Sequence, residues 1–428
     1  MTTPLRLGIA GLGTVGVGVV RIVQTHADML AARTGRAISI SAVSARTRDK
    51  DRGVDLSAYA WEDDPVALAK REDVDLFVEL MGGSDGPAKA ATEAALAAGK
   101  PVVTANKAML AIHGQALAEL AESTGAALRF EAAVAGGIPC IKALTEGLAA
   151  NEITRVSGVM NGTCNYILTR MEASGKPYDE IFAEADALGF LEADPTLDVG
   201  GIDAGHKLAL LSAIAFGTQV DFEGVQLQGI QEVSIDDIHR ARDMGYRIKL
   251  LGEARRTEAG VEQSMRPTLV PADSPLGQLE GGTNMVVIEG DSVGQIVLRG
   301  AGAGEGPTAS AVMGDVADIA RGLDIPPFGQ PAATLAPAQR ANSATECAHY
   351  LRLSLTDTPG ALARVATVLG QNGISIDRMR QYDHPGEDAP VLIVTHPCAP
   401  SALATALEGV TATGVVTADP IALQIQTP

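Results

Sequence analysis

Residues 188–207 carry the densest chemistry in this sequence. They read Leu188-Gly189-Phe190-Leu191-Glu192-Ala193-Asp194-Pro195-Thr196-Leu197-Asp198-Val199-Gly200-Gly201-Ile202-Asp203-Ala204-Gly205-His206-Lys207. Glu192, Asp194, Asp198 and Asp203 supply carboxylates and Lys207 a cation, in a Gly- and Pro-punctuated loop that enters an apolar helix. Asp203 and Lys207 are four apart, so a helix places them on one face. At the mouth of a cofactor cleft, this set could hold a small amino acid and move a proton. In isolation the same residues describe an exposed loop with a surface ion pair of little worth. The elements around them decide which reading applies.

The first such element is a cofactor turn. Gly11-Leu12-Gly13-Thr14-Val15-Gly16 follows a short apolar run at 5–10 and opens a helical stripe of Val19, Val20, Val23, Ala27 and Leu30. GxGxxG is weak evidence alone, but strand before and helix after are the context that the motif needs. Gly11 makes the tight turn, Gly13 lets the backbone approach a pyrophosphate, and Gly16 lets helix and strand pack closely. The helix start offers N–H groups from Thr14 and Val15 to the phosphates. A second strand at 38–43 ends in Ser44 rather than in the acid that usually grips an NAD ribose, and Arg46, Arg48 and Lys50 follow it. Those cations suit a 2′-phosphate, so the expected cofactor is NADP, with NAD as the alternative if the loop is merely solvated. Lys107 lies just past the carboxyl end of another strand, where open α/β sheets bind ligands.

Alternating strands and helices to about residue 130 predict βαβ units on a parallel sheet. Beyond the Gly-rich turn at 135–139 the rhythm changes. Helices at 163–173, 178–188 and 202–216, then strands at 247–253, 262–270, 283–289 and 292–298, predict an α+β domain. Another Gly-rich turn at 300–307 leads to a helix at 308–321 able to return to the first domain. Residues 325–348 show no period and read as a linker. The remainder has a βαββαβ pattern, a small ferredoxin-like module.

Composition narrows the function classes. A net charge of −19 argues against nucleic acid as a partner, because phosphate binding needs a basic face. No apolar run approaches the roughly 18 residues of a membrane span, and the N-terminal residues lack a signal-peptide layout. Cys140, Cys164, Cys347 and Cys398 form no CxxC or zinc-like spacing, which fits a reducing cytoplasm.

Taken together, these segments resemble the homoserine dehydrogenase family across about residues 1–322. The match is carried by the Gly11–Gly16 turn, Thr104-Ala105-Asn106-Lys107, Glu131-Ala132-Ala133-Val134-Ala135-Gly136-Gly137-Ile138-Pro139, Asn161-Gly162-Thr163-Cys164-Asn165-Tyr166-Ile167-Leu168 and the opening stretch. Asp357-Thr358-Pro359-Gly360-Ala361-Leu362 and Asn372-Gly373-Ile374 resemble an ACT domain.

The resemblance implies an α/β protein with a Rossmann-type domain at 1–135, completed by a returning helix at 304–322. A substrate-binding and dimerisation domain at 136–303, a linker at 323–348 and an ACT regulatory domain at 349–428 would follow. It implies reversible reduction of L-aspartate 4-semialdehyde to L-homoserine by NAD(P)H, in threonine, methionine and isoleucine biosynthesis. Lys207 would be the proton donor, Lys107 would lie beside nicotinamide and substrate, and Asp203 would orient substrate or Lys207. Glu192 would grip the substrate ammonium, Asp198 would also bind substrate, and Gly306 would approach the cofactor. A monovalent cation, sodium in the family, would map to Glu131, Val134, Gly136 and Ile138. L-Threonine would be the inhibitor, and the assembly a homodimer or homotetramer.

Leu191 and Gly200 depart from the family pattern, which usually has a small residue at the first position and often a polar one at the second. His206 reads as a packing residue. Cys164 would suit a phosphorylating semialdehyde dehydrogenase only if a base or positive field poised its thiolate, and its sequence neighbours supply none. Asp357 and Asn372-Gly373 could hold a free amino acid, or the last module could serve dimerisation alone. A sensor that kept the fold and lost the chemistry is the non-enzymatic alternative. The presence of Lys107, Glu192, Asp203 and Lys207 argues against it.

Overall fold

The computed structural model describes residues 3–191, 194–341, 345–382 and 388–426. Glu192, proposed above as the ammonium grip, lies outside the described residues.

The first sheet has six parallel strands, β1 (Leu5–Ala10), β2 (Ile38–Ser44), β3 (Ala60–Trp61), β4 (Leu76–Glu79), β5 (Val102–Thr104) and β6 (Leu128–Arg129). Their order is β3-β2-β1-β4-β5-β6. Helices α1 (Thr14–Thr34), α2 (Pro65–Lys70), α3 (Pro87–Ala97) and α4 (Lys107–Thr124) connect them. β4 and β5 are buried at every position, as strands covered on both faces must be. The order reverses between β1 and β4, and the crevice beyond their carboxyl ends is where such sheets bind ligands.

A second, mixed sheet follows. A short helix α5 (Cys140–Lys142) runs into a π-turn at Ala143–Gly147, then come β7 (Ile153–Val159), α6 (Gly162–Ser174), α7 (Tyr178–Ala187), α8 (Thr196–Val199) and α9 (Ile202–Phe216). Next are β8 (Val225–Leu227), α10 (Ile235–Asp243), β9 (Tyr246–Thr257), β10 (Gly260–Pro271), β11 (Thr283–Gly290), β12 (Gly294–Ala301) and α11 (Glu305–Arg321). α9 is apolar almost all round and is correspondingly buried, packing on β7, β9 and β10 while also meeting α4 of the first sheet. That last contact joins the halves of the site. α11 begins earlier than its sequence pattern suggests and lies along α1, with Ala309, Val312, Met313 and Val316 sharing a core with Val19, Val20 and Val23.

The final segment forms β13 (His349–Thr356), α12 (Ala361–Gln371), β14 (Ile376–Gln381), β15 (Asp388–Thr395), α13 (Pro400–Ala412) and β16 (Ile421–Ile425), the expected βαββαβ order. It is not a detached module. β16 pairs in parallel with β10, Thr268 opposite Gln424 and Leu269 opposite Ile425. One sheet thus runs β12-β11-β7-β9-β10-β16-β13-β15-β14.

The segment read as a linker is pinned throughout its described part. Phe328 is buried against Phe130 with ring centroids 5.3 Å apart, Gln219 N–H donates to Ala336 O at 2.9 Å, and Arg340 pairs with Asp221 at 2.6 Å. Isolated backbone bonds and one buried ring leave no periodic trace in a sequence. α10 had no bounds from the sequence, where only His239 reads as a helix-surface residue, because its residues are mostly polar. Its signal was the reciprocal cap in which Ser234 and Asp237 satisfy each other's backbone N–H.

Candidate active site

The cofactor turn begins where β1 stops. Gly11 has φ of 99°, and a Cβ there would lie 2.3 Å from Leu80 O. A Cβ on Gly16 would lie 2.0 Å from Gly11 O, so both glycines are sterically required. At Gly13 a Cβ would meet nothing within 4 Å, which leaves open space in front of α1. α1 has no side-chain cap, so the N–H groups of its first turn, including Thr14, Val15 and Gly16, face that space. Gly306 lies in the first turn of α11 rather than in the preceding loop, is exposed, and also has open space beside it.

Arg46 is exposed just beyond β2. Arg52, which the sequence reading passed over, organises that loop. Its Nε donates to Leu12 O at 3.2 Å and its Nη1 to Lys50 O at 2.8 Å, and both Arg48 and Arg52 lie over the Trp61 ring. The basic loop is therefore tied directly to the glycine turn.

A buried acid shapes the next strand ends. Glu79 closes β4, accepts Thr104 Oγ1–H at 2.6 Å, and also accepts the Met81 N–H at 2.7 Å. Asn106 then caps α4 by accepting the Met109 N–H at 3.1 Å, while its amide donates to Gly83 O at 2.7 Å. These bonds fix the start of α4, and Lys107 is its first residue.

Lys107 reaches across to α9, where its Nζ lies 3.0 Å from Asp203 Oδ1. Lys207 Nζ lies 2.7 Å from Asp203 Oδ2 and donates to Met160 O at 2.9 Å. Burial alone would push the Asp203 carboxyl up. The two ammonium groups and their hydrogen bonds prevail and hold it well below the usual carboxylate range. Asp203 is thus a fixed anion that sets the spacing between two cations. Asn161, another residue without an assigned role in the sequence reading, donates to Asp198 Oδ1 at 2.8 Å and to Asp203 Oδ2 at 3.0 Å. Of the expected substrate grips, Asp198 is buried beside Asp203 on α8.

His206 packs against Phe222 with ring centroids 4.2 Å apart and the planes tilted by 47°, and burial lowers its imidazole below the ordinary value, which suits a packing role. Cys164 is buried, donates Sγ–H to Asp198 O at 3.3 Å, and has its thiol pushed up by burial and then by the Asp198 and Asp203 carboxylates. It is no nucleophile in this state. Cys164→Ser, which keeps a donor of similar size, is expected to leave kcat within about two-fold, since a surviving neutral bond is worth only ~1 kcal/mol. Loss of turnover in a folded Cys164→Ser sample would make the thiol essential.

The turn proposed for a cation holds Ala135 and Gly136, both at φ of 53°. The Glu131 carboxylate is used locally, accepting the Ile141 and Lys142 N–H groups at 2.9 and 2.8 Å. Burial raises that carboxyl to about 7 despite those bonds, with the Asp315 carboxylate adding to the rise. Among the described residues no group of three or more His, Cys, Asp or Glu side chains is arranged to hold a metal ion.

The NAD-binding-domain model of homoserine dehydrogenase matches residues 11–131, the homoserine dehydrogenase model residues 139–317, and the ACT-domain model residues 349–409. The homoserine dehydrogenase of Neisseria gonorrhoeae is 43% identical over 401 residues, covering 92% of each chain. This chain belongs to the homoserine dehydrogenase family. The crystal structure of a homoserine dehydrogenase from Thiobacillus denitrificans superposes with a TM-score of 0.94 at 38% identity, covering 99% of this chain and 98% of that one. A hyperthermophilic archaeal homoserine dehydrogenase in complex with NADPH covers 75% of this chain and 99% of its own at 26% identity, with a TM-score of 0.65. The activity is accordingly that of a homoserine dehydrogenase, an oxidoreductase of amino-acid biosynthesis with a nicotinamide cofactor. No described helix is long and apolar enough to cross a membrane.

Proposed function

We propose that this homoserine dehydrogenase reduces L-aspartate 4-semialdehyde with Lys207 as proton donor, Lys107 beside the reacting oxygen and NADPH as the preferred reductant. The observation that carries the reading is the single buried carboxylate of Asp203 held between two lysines, one from each half of the molecule. The reduced nicotinamide supplies a hydride to the aldehyde carbon, so negative charge develops on the aldehyde oxygen. Lys107 stabilises that charge electrostatically. Lys207 gives it a proton and is left as the amine, to be reprotonated from solvent. An ammonium has three N–H bonds. Met160 O and Asp203 take two from Lys207, and the third is the one assigned to substrate. Asp203 keeps the two ammonium groups apart and oriented. Asp198 and Glu192 are assigned to substrate binding, Glu192 at the substrate ammonium.

The glycine turn, Thr14, Val15, Arg46 and Gly306 are assigned to the cofactor, and Arg52 to holding the basic loop. The NADPH complex of the archaeal relative supports the 2′-phosphate reading. A sodium ion on the carbonyls of Glu131, Val134, Gly136 and Ile138 suits the turn's two consecutive left-handed residues, because a hard cation takes oxygen ligands. We assign residues 1–135 with 304–322 to the nucleotide domain, 136–303 to substrate and dimerisation, 323–348 to a strap and 349–428 to regulation. A homodimer or homotetramer in the cytoplasm, with L-threonine acting through the ACT domain near Asp357 and Gly373, completes the reading. Four buried free cysteines fit that compartment.

One assay addresses most of this. L-Homoserine is oxidised with NADP or NAD while absorbance of the reduced nicotinamide is followed, with and without L-threonine. Arg46→Ala is expected to raise KM for NADP by roughly 10-fold or more, the worth of one charge-assisted bond, and to leave KM for NAD alone. An equal change for both nucleotides would remove Arg46 from 2′-phosphate recognition. Unaltered rates at saturating L-threonine would remove that effector.

A further inference from the structure

The Asn161-Gly162-Thr163 turn belongs to the family resemblance but has no part in the chemistry above. Its first residue occupies the point where three helices converge on the site. Asn161 precedes α6, and its Oδ1 accepts the Cys164 N–H at 2.8 Å, capping the helix. The same side chain sends both amide hydrogens the other way, to Asp198 Oδ1 on α8 and Asp203 Oδ2 on α9. Asn161, Asp198 and Asp203 are all buried.

We infer that Asn161 is the positioning residue of this site: its amide bridges two buried carboxylates and fixes the rotation of Asp203, which in turn fixes Lys107 and Lys207. This rests on the roles given to those lysines above. Two unscreened anions this close repel unless donors lie between them. The amide supplies both donors without adding charge. Its orientation is not free, because a flip would aim Oδ1 at the two carboxylates and leave the helix uncapped. With Asp203 Oδ2 shared between Asn161 and Lys207, Oδ1 is turned toward Lys107. Loss of the bridge lets the carboxylate rotate and carries both ammonium groups off the substrate.

No other small side chain offers two donors from one atom and an acceptor from another. Serine keeps the cap, since it ranks with asparagine at that position, and replaces the two amide N–H donors with one O–H on a shorter side chain that cannot bridge both carboxylates. Aspartate keeps cap and shape but adds a third anion. The charged groups around the carboxyl introduced by Asn161→Asp would be Asp198 from α8, Asp203 and Lys207 from α9, and Lys107 from α4. His206 on α9 and Cys164 on α6 are neutral there, and the Tyr178 phenol on α7 reaches the set through Cys164. The two anions outweigh the lysines, which already face Asp203, so the added carboxyl holds its proton to higher pH than a free one. Protonated, it again donates one hydrogen bond.

The test uses the full chain with Asn161→Ser, Asn161→Asp and, in parallel, Lys207→Ala. kcat, both KM values and their pH profiles are measured in the homoserine assay, with thermal melting to verify folding. Both Asn161 variants are expected to lose kcat, Asn161→Asp by on the order of 10²-fold as for a small misplacement of catalytic groups. KM for the nucleotide should hold. The ratio of Asn161→Asp to native kcat should climb as pH falls, while the Asn161→Ser ratio stays flat. A native kcat in either variant, or a pH-independent ratio in Asn161→Asp with the same loss as Asn161→Ser, overturns the inference. If Asn161→Asp does not fold, a loss of kcat at constant nucleotide KM in Asn161→Ser supports it and a rise in nucleotide KM at native kcat refutes it. Full kcat in Lys207→Ala would instead overturn the proton-donor assignment, a result distinguishable from failure at Asn161.

Discussion

Lys207→Ala should lower kcat by about 10²- to 10⁴-fold, the usual worth of a positioned general acid, while nucleotide affinity survives. The expectation follows from where the side chain is anchored. Its Nζ is held by Met160 O from the end of β7 and by Asp203 from its own helix, and neither belongs to the glycine turn that faces the cofactor space. Lys207→Arg should not rescue the rate, because a guanidinium does not release its proton at any working pH. Single-turnover kinetics and nucleotide titration followed by fluorescence separate the two effects. Weakened nucleotide binding with kcat intact would mean that Lys207 serves the cofactor and that the proton comes from elsewhere.

The second large effect is on stability. Asp203→Ala removes the anion between two cations, and Lys207 is buried. Breaking a buried pair by deleting one partner typically costs about 3–5 kcal/mol, since the remaining charge is left uncompensated. Urea unfolding of native and variant protein measures the difference. Its pH dependence has a definite sign. The folded Asp203 carboxyl is held below its unfolded value of about 3.9, so its contribution is complete above that value and disappears as pH falls through the folded one. The stability gap between native and Asp203→Ala should therefore stay level from neutral to mildly acid pH and close only in strong acid. A gap that closes already near neutrality would show that a different group controls it. Asp203→Ala should also lose kcat, but through Lys107 and Lys207 rather than through proton transfer by the aspartate itself.

Local relations at this site were legible in the sequence, and distant ones were not. The spacing of Asp203 and Lys207 announces their shared helical face, and the glycine turn announces its own sterics. Each depends on neighbours in the chain. Lys107 meets Asp203 only because α4 packs on α9, a contact between two sheets that no local spacing encodes. Asn161 stands in sequence as part of a polar turn ahead of a helix, and its bonds to Asp198 and Asp203 appear only once α6, α8 and α9 converge. Arg52 was hidden similarly, since its bond to Leu12 O spans the whole first helix and second strand. The βαββαβ rhythm of the final segment revealed its fold, whereas its pairing to β10 depends on backbone groups that carry no residue-type signature.

That pairing bears on how the protein should be handled. During synthesis β10 emerges long before β16, and until β16 arrives the edge of β10 beyond its pairing with β8 carries unsatisfied backbone donors and acceptors. An open edge of this kind recruits strands from other chains. Gln426 N–H still donates to Leu269 O at 2.8 Å, so the seal extends past β16 itself. Affinity tags and reporter fusions therefore belong ahead of β1, and cutting away the ACT segment that carries β16 leaves an aggregation-prone edge on β10.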